Sequence, residues 1–314
     1  VKRVTIRTAA KVNLCLRVLG RRTDGYHNVE AVLHTVGLWD QIRLTSLPEP
    51  GITLQVNTPE VPADESNLCW RAAQLLVDQR RAGLGIGIAL EKAIPVSAGL
   101  GGGSSDAAAT LTGLARLWGL DLAAEELHAL AAQLGADVPF FLRGGCCLAR
   151  GRGERLRPLP DLSSWLVVVV PERRVATAQA YAALRRGSSR GRRGPLARPV
   201  QRTLAALEEG SPAALAGSLH NDFESLQMAG IEEARRAKAD LLEAGCLGAS
   251  VCGSGSGAFG IAADRSAAEQ AADRLRRSWG WVRVAATVPA GQSMVISEPT
   301  WSVAPCSELE EERA

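Results

Sequence analysis

No run in this chain approaches the ~20 uncharged apolar residues that a membrane-spanning helix needs, although 46% of its 314 residues are apolar. That excludes a helical membrane protein and leaves a chain able to bury a sizeable core, for which two lobes sharing a cleft is the expected arrangement. Seven cysteines stand at positions 15, 69, 146, 147, 246, 252 and 306, yet none forms a Cys-x-x-Cys pair or has histidines at zinc spacing. A disulfide framework and a structural zinc site are therefore excluded, and the thiols read as buried side chains in a reducing compartment. The net charge is only +3 with pI near 8.6, too mild for a nucleic-acid footprint but compatible with small anionic substrates. Val1 to Arg7 alternate apolar and polar side chains like a strand and carry no signal-peptide core, so the expected location is the cytoplasm. No internal repeat is evident.

What the chain does have is a concentration of glycine. Four glycines fall in the five positions from Gly99 to Gly103, inside the run Pro95, Val96, Ser97, Ala98, Gly99, Leu100, Gly101, Gly102, Gly103, Ser104, Ser105. A plain turn does not need that loss of backbone entropy. The run follows a strand-like segment, Ile86 to Leu90, and leads into a helix-like one, Ser104 to Trp118, with apolar residues at Ala107, Leu111, Leu114 and Trp118. Strand, glycine loop and helix start together form an anion cradle, because bare backbone N–H groups and the positive end of a helix dipole converge on one place. A Walker A loop is excluded, since no lysine stands among these glycines. So is a dinucleotide fingerprint, which would need glycine where the chain has Ser104.

Taken in order, Val1 to Arg7, Val12 to Leu19, Ala31 to Leu38, Gln41 to Leu47 and Ile52 to Val56 read as strands, with Lys11 and Asn13 on a polar face. Gly20 to His27 is a charged turn ending in the rings of Tyr26 and His27. The first helix opens at Asn67, a suitable N-cap, and ends by Gly83. A second helix after the glycine loop, Ala123 to Leu134, runs into Gly135-Ala136-Asp137-Val138-Pro139, which places Asp137 in a constrained bend. Trp165 to Val170 reads as a strand buried on both faces. Arg185 to Pro199 holds six arginines without apolar periodicity or interleaved aromatics, so it reads as a solvated loop and not as a nucleic-acid patch. Beyond Gln201 the chain alternates helices and strands. A second glycine cluster, Gly253-Ser254-Gly255-Ser256-Gly257, lies there. Gly255, Gly257 and Gly260 match dinucleotide spacing, but a strand follows them where a helix is required.

Three stretches together resemble the small-metabolite kinase family that groups galactokinase, homoserine kinase, mevalonate kinase and phosphomevalonate kinase. They are the Pro95 to Ser105 loop, Ala10-Lys11-Val12-Asn13-Leu14, and Gly253 to Gly257. Their order and spacing fit across nearly the whole chain. The resemblance implies an α+β, two-domain fold, with a ribosomal-protein-like N-terminal domain (1–170) and a ferredoxin-like C-terminal domain (171–296). The tail (297–314) lies outside the resemblance, and its acidic end reads by itself as flexible. Within the family, Arg-Arg-Thr-Asp-Gly-Tyr-His at Arg21 to His27 and Leu134 to Phe141 resemble the branch whose acceptor alcohol is carried on cytidine diphosphate. Mevalonate or homoserine as acceptor is the near alternative, against which Asp24-Gly25-Tyr26-His27 speaks. A non-catalytic nucleotide-binding module is the remote one, and it would have no need of Lys11 and Asp137.

Residue by residue, the resemblance implies ATP as co-substrate on Pro95 to Ser105, with Asn67, Leu68 and Lys92 near the adenine. Ser105 is the candidate for a phosphate oxygen or Mg²⁺, and Gly253 to Gly257 would supply amides from the other domain. Asp137 accepts the proton of the acceptor hydroxyl while Lys11 holds that carboxylate and favours the developing alkoxide. Tyr26 and His27 recognise the base, one by stacking and one at its edge; Asn13 places the alcohol, and Tyr181 reaches the cytidine. His34, His128 and His220 read as structural. The expected partners are these small molecules, with no nucleic acid and no membrane, in a monomer or homodimer.

Overall fold

A computed structural model of the protein describes residues 1–80, 85–184 and 195–301. Two long strands, β1 (Lys2–Arg21) and β2 (His27–Leu47), pair antiparallel along almost their whole length. Register shifts occur between Ala9 and Ala10, Asn13 and Cys15, and Val18 and Gly20. Each shift bends the ladder and resets which face the following side chains occupy, so the alternation in the sequence breaks into shorter strands where the backbone is continuous. β3 (Gly51–Val56) and β4 (Gly85–Glu91) extend this sheet beside β2 as a parallel pair, joined through α1 (Leu68–Arg80). The expected cap of α1 is present: Asn67 Oδ1 accepts from the Cys69 N–H at 2.8 Å.

After the glycine loop, α2 (Gly102–Trp118) lies on the sheet. Its Leu111 and Leu114 share a core with Ile6, Ile42 and Leu44, and Gly113 permits the approach, since a Cβ there would come within 2.5 Å of Ile6 Cδ1. α3 (Ala124–Leu134) is followed by a helix absent from the sequence reading, α4 (Val138–Arg143). Pro139 opens this helix instead of blocking one, because proline suits a first turn whose N–H groups have no partner. The hairpin of β5 (Cys146–Gly151) and β6 (Arg155–Pro158) adds to β2.

β7 (Trp165–Val169) enters a second, four-stranded antiparallel sheet, ahead of the boundary expected at 170. Then come α5 (Thr177–Ala183), α6 (Arg198–Glu209), α7 (Pro212–Ser218), the short β8 (His220–Asn221), α8 (Ala229–Glu243), β9 (Gly248–Val251), β10 (Ala258–Ala262), α9 (Arg265–Leu275) and β11 (Val282–Ala286). The sheet order β11-β7-β10-β9, with helices between β7 and β9 and between β10 and β11, is the ferredoxin-like arrangement. Val167 and Val169 pack with Ala237, Leu241, Ala268 and Ala272 on one face, while Leu166 and Val168 join Val12 and Leu14 in the core between the two sheets. That two-sided burial explains the uninterrupted apolar run.

The chain finally returns to the first sheet, where β12 (Met294–Ile296) and β13 (Thr300–Trp301) both pair with β1. The flexible tail expected from 297 is thus corrected for 297–301, and its remainder lies outside the described residues. Of the arginine-rich segment expected as a loop over 185–199, Arg198 and Pro199 start α6, and residues 185–194 lie outside the description. Six cysteines are buried and unbonded, and Cys306 falls outside the described residues. Among the described residues no helix is long and apolar enough to cross a membrane.

His34, 1% exposed, joins β2 to the segment before β7: Nδ1 lies 2.9 Å from the Thr35 carbonyl, and Nε2 accepts from the Leu162 N–H at 3.3 Å. This pattern needs a neutral ring donating from Nδ1. Burial holds its pKa below the ordinary value, outweighing the Thr35 bond and the Asp161 charge. The unfolded chain therefore binds the proton more readily, and stability falls as pH drops from about 6.5 towards the lower folded value, with a slope of at most about 1.4 kcal/mol per pH unit. Urea denaturation between pH 7.5 and 5.5 should show this loss, and His34→Gln should flatten it; equal slopes would remove His34 as the cause.

Candidate active site

A cavity of about 1150 Å³ lies between the glycine loop, the start of α2, the β1–β2 turn and α5. It exceeds the usual volume of a single small-ligand pocket. Its walls include Lys11, Asn13, Tyr26, His27, Asn67, Leu68, Lys92, Pro95 to Ser104, Asp137 and Tyr181, so nearly all the residues singled out in the sequence converge on one space.

Backbone packing sets the shape of the loop. Gly99 and Gly101 sit at φ of +79° and +75°, in the left-handed region that disfavours side chains. A Cβ at Gly101 would fall 2.9 Å from Lys11 Cγ, so glycine lets the lysine pass beneath the loop. The Lys11 N–H donates to the Leu100 carbonyl at 2.9 Å, tying β1 to the loop. No side chain caps α2, and Gly102, Gly103 and Ser104 of its first turn line the cavity. Backbone donors and the dipole are thus presented to a ligand.

Ser105 requires a correction. It is fully buried, its hydroxyl donates to the Ala9 carbonyl at 2.6 Å, and its oxygen lies 2.6 Å from Thr8 Oγ1. It pins α2 to β1 and does not reach the cavity, so the expected phosphate or Mg²⁺ contact is withdrawn. Helix phase explains this: Ser104 points to the cleft and its neighbour turns inward.

Lys92 lines the cavity, but its ammonium is committed to two carboxylates, bonding Asp40 and, at 2.7 Å, Asp106. Asp40 also accepts the N–H groups of Ala93 and Ile94 at 2.6 and 2.8 Å. Burial, with the Asp40 charge adding to it, drives the Asp106 pKa upward against the opposing pull of Lys92. Sequence reasoning missed both aspartates, because lone acidic residues in a strand and a helix carry no spacing signal. Asp106 Oδ1 is buried and has no hydrogen-bond partner among the described residues.

Lys11 Nζ donates to Asn13 Oδ1 at 2.6 Å and stands 3.8 Å from Asp137 Oδ2. The lysine side chain is 5% exposed, the aspartate 40%. Asp137 precedes α4, and a Cβ on neighbouring Gly153 would lie 3.6 Å from its Oδ1. A desolvated cation beside an accessible carboxylate can hold a hydroxyl group and take its proton.

Rings occupy another part of the wall. His27 and Tyr181 lie 5.1 Å apart at 34°, and Phe223 backs Tyr181 edge-on at 4.8 Å. Tyr26 is 53% exposed, with the Arg152 guanidinium 4.9 Å from its ring centre. Burial first, then the Arg21 charge, hold the His27 pKa below its ordinary value, so the ring is neutral near pH 7 and offers one donor and one acceptor. Burial pushes the Tyr181 phenol up, and the Asp137 charge adds to it. Arg152 was also missed, since a single arginine in a turn reads as a surface charge.

The second glycine cluster packs directly on the first. The Gly257 N–H donates to the Ala98 carbonyl at 3.2 Å, and a Cβ at Gly255 would lie 2.7 Å from the Gly99 nitrogen. Asn221 Nδ2 holds this turn by donating to the Val251 and Gly253 carbonyls at 2.9 and 2.7 Å. Gly253 and Ser254 reach the cavity wall; the other three residues of the cluster serve the contact between loops.

Two family models match the chain, described as GHMP kinases N terminal domain over residues 67–145 and GHMP kinases C terminal over residues 203–280. The chain belongs to the GHMP kinase family. A relative from a Synechococcus strain, named 4-diphosphocytidyl-2-C-methyl-D-erythritol kinase, is 47% identical over 275 residues, covering 86% of this chain and 89% of that protein. One of the same name from Pelotomaculum thermopropionicum is 43% identical over 88% of this chain and 94% of its own length. A crystal structure of 4-(cytidine 5'-diphospho)-2C-methyl-D-erythritol kinase superposes with TM-score 0.73 at 37% identity, over 91% of this chain and 99% of that one. Homoserine kinase from Cytophaga hutchinsonii, at 19% identity and TM-score 0.71 over 94% of this chain and 97% of that one, shares the fold.

The contact between loops has a direct test. Gly255→Ala sets a methyl against backbone atoms that cannot rotate away, so we expect a loss of about 1–3 kcal/mol in urea denaturation together with weaker ATP binding by titration calorimetry. A variant matching the wild type in both would show that the two turns are not in close contact.

Proposed function

We propose that the chain transfers the γ-phosphoryl group of ATP to the 2-hydroxyl of 4-diphosphocytidyl-2-C-methyl-D-erythritol, a step in the mevalonate-independent route to isopentenyl diphosphate. The observation that carries this reading is the convergence of three functions on one cavity: the uncapped glycine loop, the Lys11–Asp137 pair, and the ring pair His27–Tyr181 with Tyr26 nearby. The cavity volume suits two nucleotide-sized ligands. Mevalonate and homoserine carry no base, so they would leave these rings without a partner.

In this reading the N–H groups of Gly99 to Ser104 hold the β and γ phosphates in line with the acceptor oxygen. The acceptor O–H gives its proton to Asp137 as its oxygen bonds to the γ-phosphorus and the bond to the β-phosphate oxygen breaks, releasing ADP. Lys11, fixed by Asn13, favours the negative charge gathering on the attacking oxygen. The Asn13 amide nitrogen is left to orient the alcohol. Neutral His27 reads the donor and acceptor edge of cytosine, Tyr181 and Tyr26 offer ring faces, and Asn67 and Leu68 lie near the adenine. Lys92 supports the loop from below through its carboxylates.

Mg²⁺ bound with ATP neutralises phosphate charge in such transfers. The residues present fit an ion that keeps most of its ligands as water and phosphate oxygens. Asp106 Oδ1, buried at the cleft without a partner among the described residues, is the oxygen this chain would offer in place of Ser105. The reading assigns the chain to the cytoplasm as a monomer or homodimer.

Incubation with ATP, Mg²⁺ and each acceptor alcohol in turn tests the assignment. ADP release with the cytidine diphosphate alcohol alone is expected, and turnover with mevalonate or homoserine instead would overturn it. Asp137→Asn and Lys11→Ala should each lower kcat by about 10²-fold or more with ATP affinity little changed. Near wild-type turnover in a folded variant would remove these roles. For His27→Ala the expected change is a higher KM for the cytidine substrate and an unaltered KM for ATP. The opposite pattern would move His27 to the nucleotide side.

A further inference from the structure

Of the run Arg21 to His27, the proposed reaction uses the two rings and leaves Arg22 and Asp24 without a task. Both stand outside the cavity wall that Tyr26 and His27 line. The Arg22 Nε lies 3.1 and 3.0 Å from the two Asp24 oxygens, and Nη2 reaches Oδ2 at 2.9 Å. Its remaining arm, Nη1, donates at 3.1 Å to Oδ1 of Asn28, which is buried at the start of β2. One guanidinium therefore ties the turn to the sheet. Tyr26 is bound to the same pair through its backbone: its N–H donates to Asp24 Oδ1 at 3.2 Å, and its carbonyl accepts the Arg22 N–H at 2.7 Å. The Arg22 fork first, then the Tyr26 N–H and the charge of Arg152, hold the Asp24 carboxyl below its ordinary range. A pair with side chains 33% and 43% exposed adds little to global stability, yet so many directed bonds exceed what a solubilising surface charge requires.

We propose that Arg22 and Asp24 are positioning residues, whose fork presets Tyr26 and His27 for the cytidine base of the acceptor without touching it. This role rests on the reading of Tyr26 and His27 as the rings that meet the base. Tyr26 is 53% exposed, so core packing does not fix its ring. The turn backbone does, bent through Gly25 at φ of +86°, with the Arg152 guanidinium 4.9 Å from the ring centre. A ring already held where a base will stack loses less freedom on binding, which appears as affinity. Lysine in place of Arg22 would keep the charge but offer a single ammonium where a planar fork is used. Because the pair stands outside the cleft that holds Lys11 and Asp137, its effect falls on binding of the cytidine alcohol and not on phosphoryl transfer.

The test compares Arg22→Lys, Asp24→Ala, the double variant and, as a control in the same turn, Thr23→Ala. Titration calorimetry of the full chain with cytidine diphosphate, steady-state kinetics and urea denaturation are the readouts. Each single variant should bind cytidine diphosphate ~10-fold more weakly and raise KM for the cytidine alcohol by a similar factor, for loss of charge-assisted hydrogen bonds. Their kcat, KM for ATP and urea midpoint should stay at the wild-type values. Because the two side chains act as one fork, the double variant should bind no more weakly than the weaker single variant, and Thr23→Ala should match the wild type. Unaltered binding in Arg22→Lys and Asp24→Ala would overturn the proposal. So would a fall in kcat at unchanged KM, losses that add in the double variant, or a loss of urea stability that accounts for the weaker binding. A wild type that does not bind cytidine diphosphate would overturn the functional reading and this role with it, a result distinct from a wild type and variants that bind alike.

Discussion

Two glycine turns from different sheets meet backbone to backbone, and the active site depends on that contact. Ala98 and Gly99 come from the first sheet, Cys252 to Gly257 from the second, and the space between them admits no side chain. Such proximity turns two phosphate-sized loops into one wall and fixes the relation of the two sheets at the cleft. It also brings Gly253 beside the Lys11 ammonium, where a Cβ would stand 3.2 Å from Nζ. Glycine is required there less for flexibility than for thinness. Packing interiors at crystal-like density leave no slack for an added methyl, so the entropy spent on these residues is offset by the rigidity of the assembled pocket.

From below, the loop rests on buried charge. Asp40, Lys92 and Asp106 bring two carboxylates and one ammonium out of water, and Asp40 adds two backbone donors at the loop's entry. Buried ion pairs contribute little net stability, yet removing one member leaves an uncompensated charge at a cost of about 3–5 kcal/mol. Such a group therefore acts mainly as a constraint. It admits one geometry for the chain entering Pro95 to Ser105, while Ser105 locks the far end to Ala9 and Thr8.

Much of this was legible in the sequence, for reasons that can be named. The glycine loop, the cap at Asn67, the doubly buried strand at Trp165 and the strand at Ala258 depend on local patterns, and each stands where those patterns put it. Long strands were harder to see, since bulges at Ala9, Asn13 and Val18 erase a strict alternation. The helix that opens at Val138 and Pro139 was missed, because a proline after one helix marks a stop and the start of another equally well. Ser105 shows the limit of motif reasoning: adjacent serines at a helix start differ by a hundred degrees of phase, and only packing decides which one meets the ligand. Asp40, Asp106 and Arg152 gain meaning through partners 14 to 126 positions away in sequence, a relation no local pattern encodes.

The loop's lack of a lysine follows from how charge is distributed around the cleft. Lys92 is close enough to matter but is neutralised by two carboxylates, so in the proposed reading phosphate recognition rests on backbone N–H groups and the first turn of α2. Lys11 is different. Its near partner, Asn13, is neutral, and its anionic neighbour Asp137 stands at 3.8 Å and is partly solvated. Most of its charge therefore remains available in a desolvated pocket, where it counts for far more than in water. Neutral donors bind the phosphates about equally well before and during transfer, and so set affinity. A full charge placed where negative charge develops stabilises the transition state more than the bound substrate, which is the condition for acceleration. Under the proposed mechanism, the cation has its greatest effect on rate at the acceptor and is not needed in the loop.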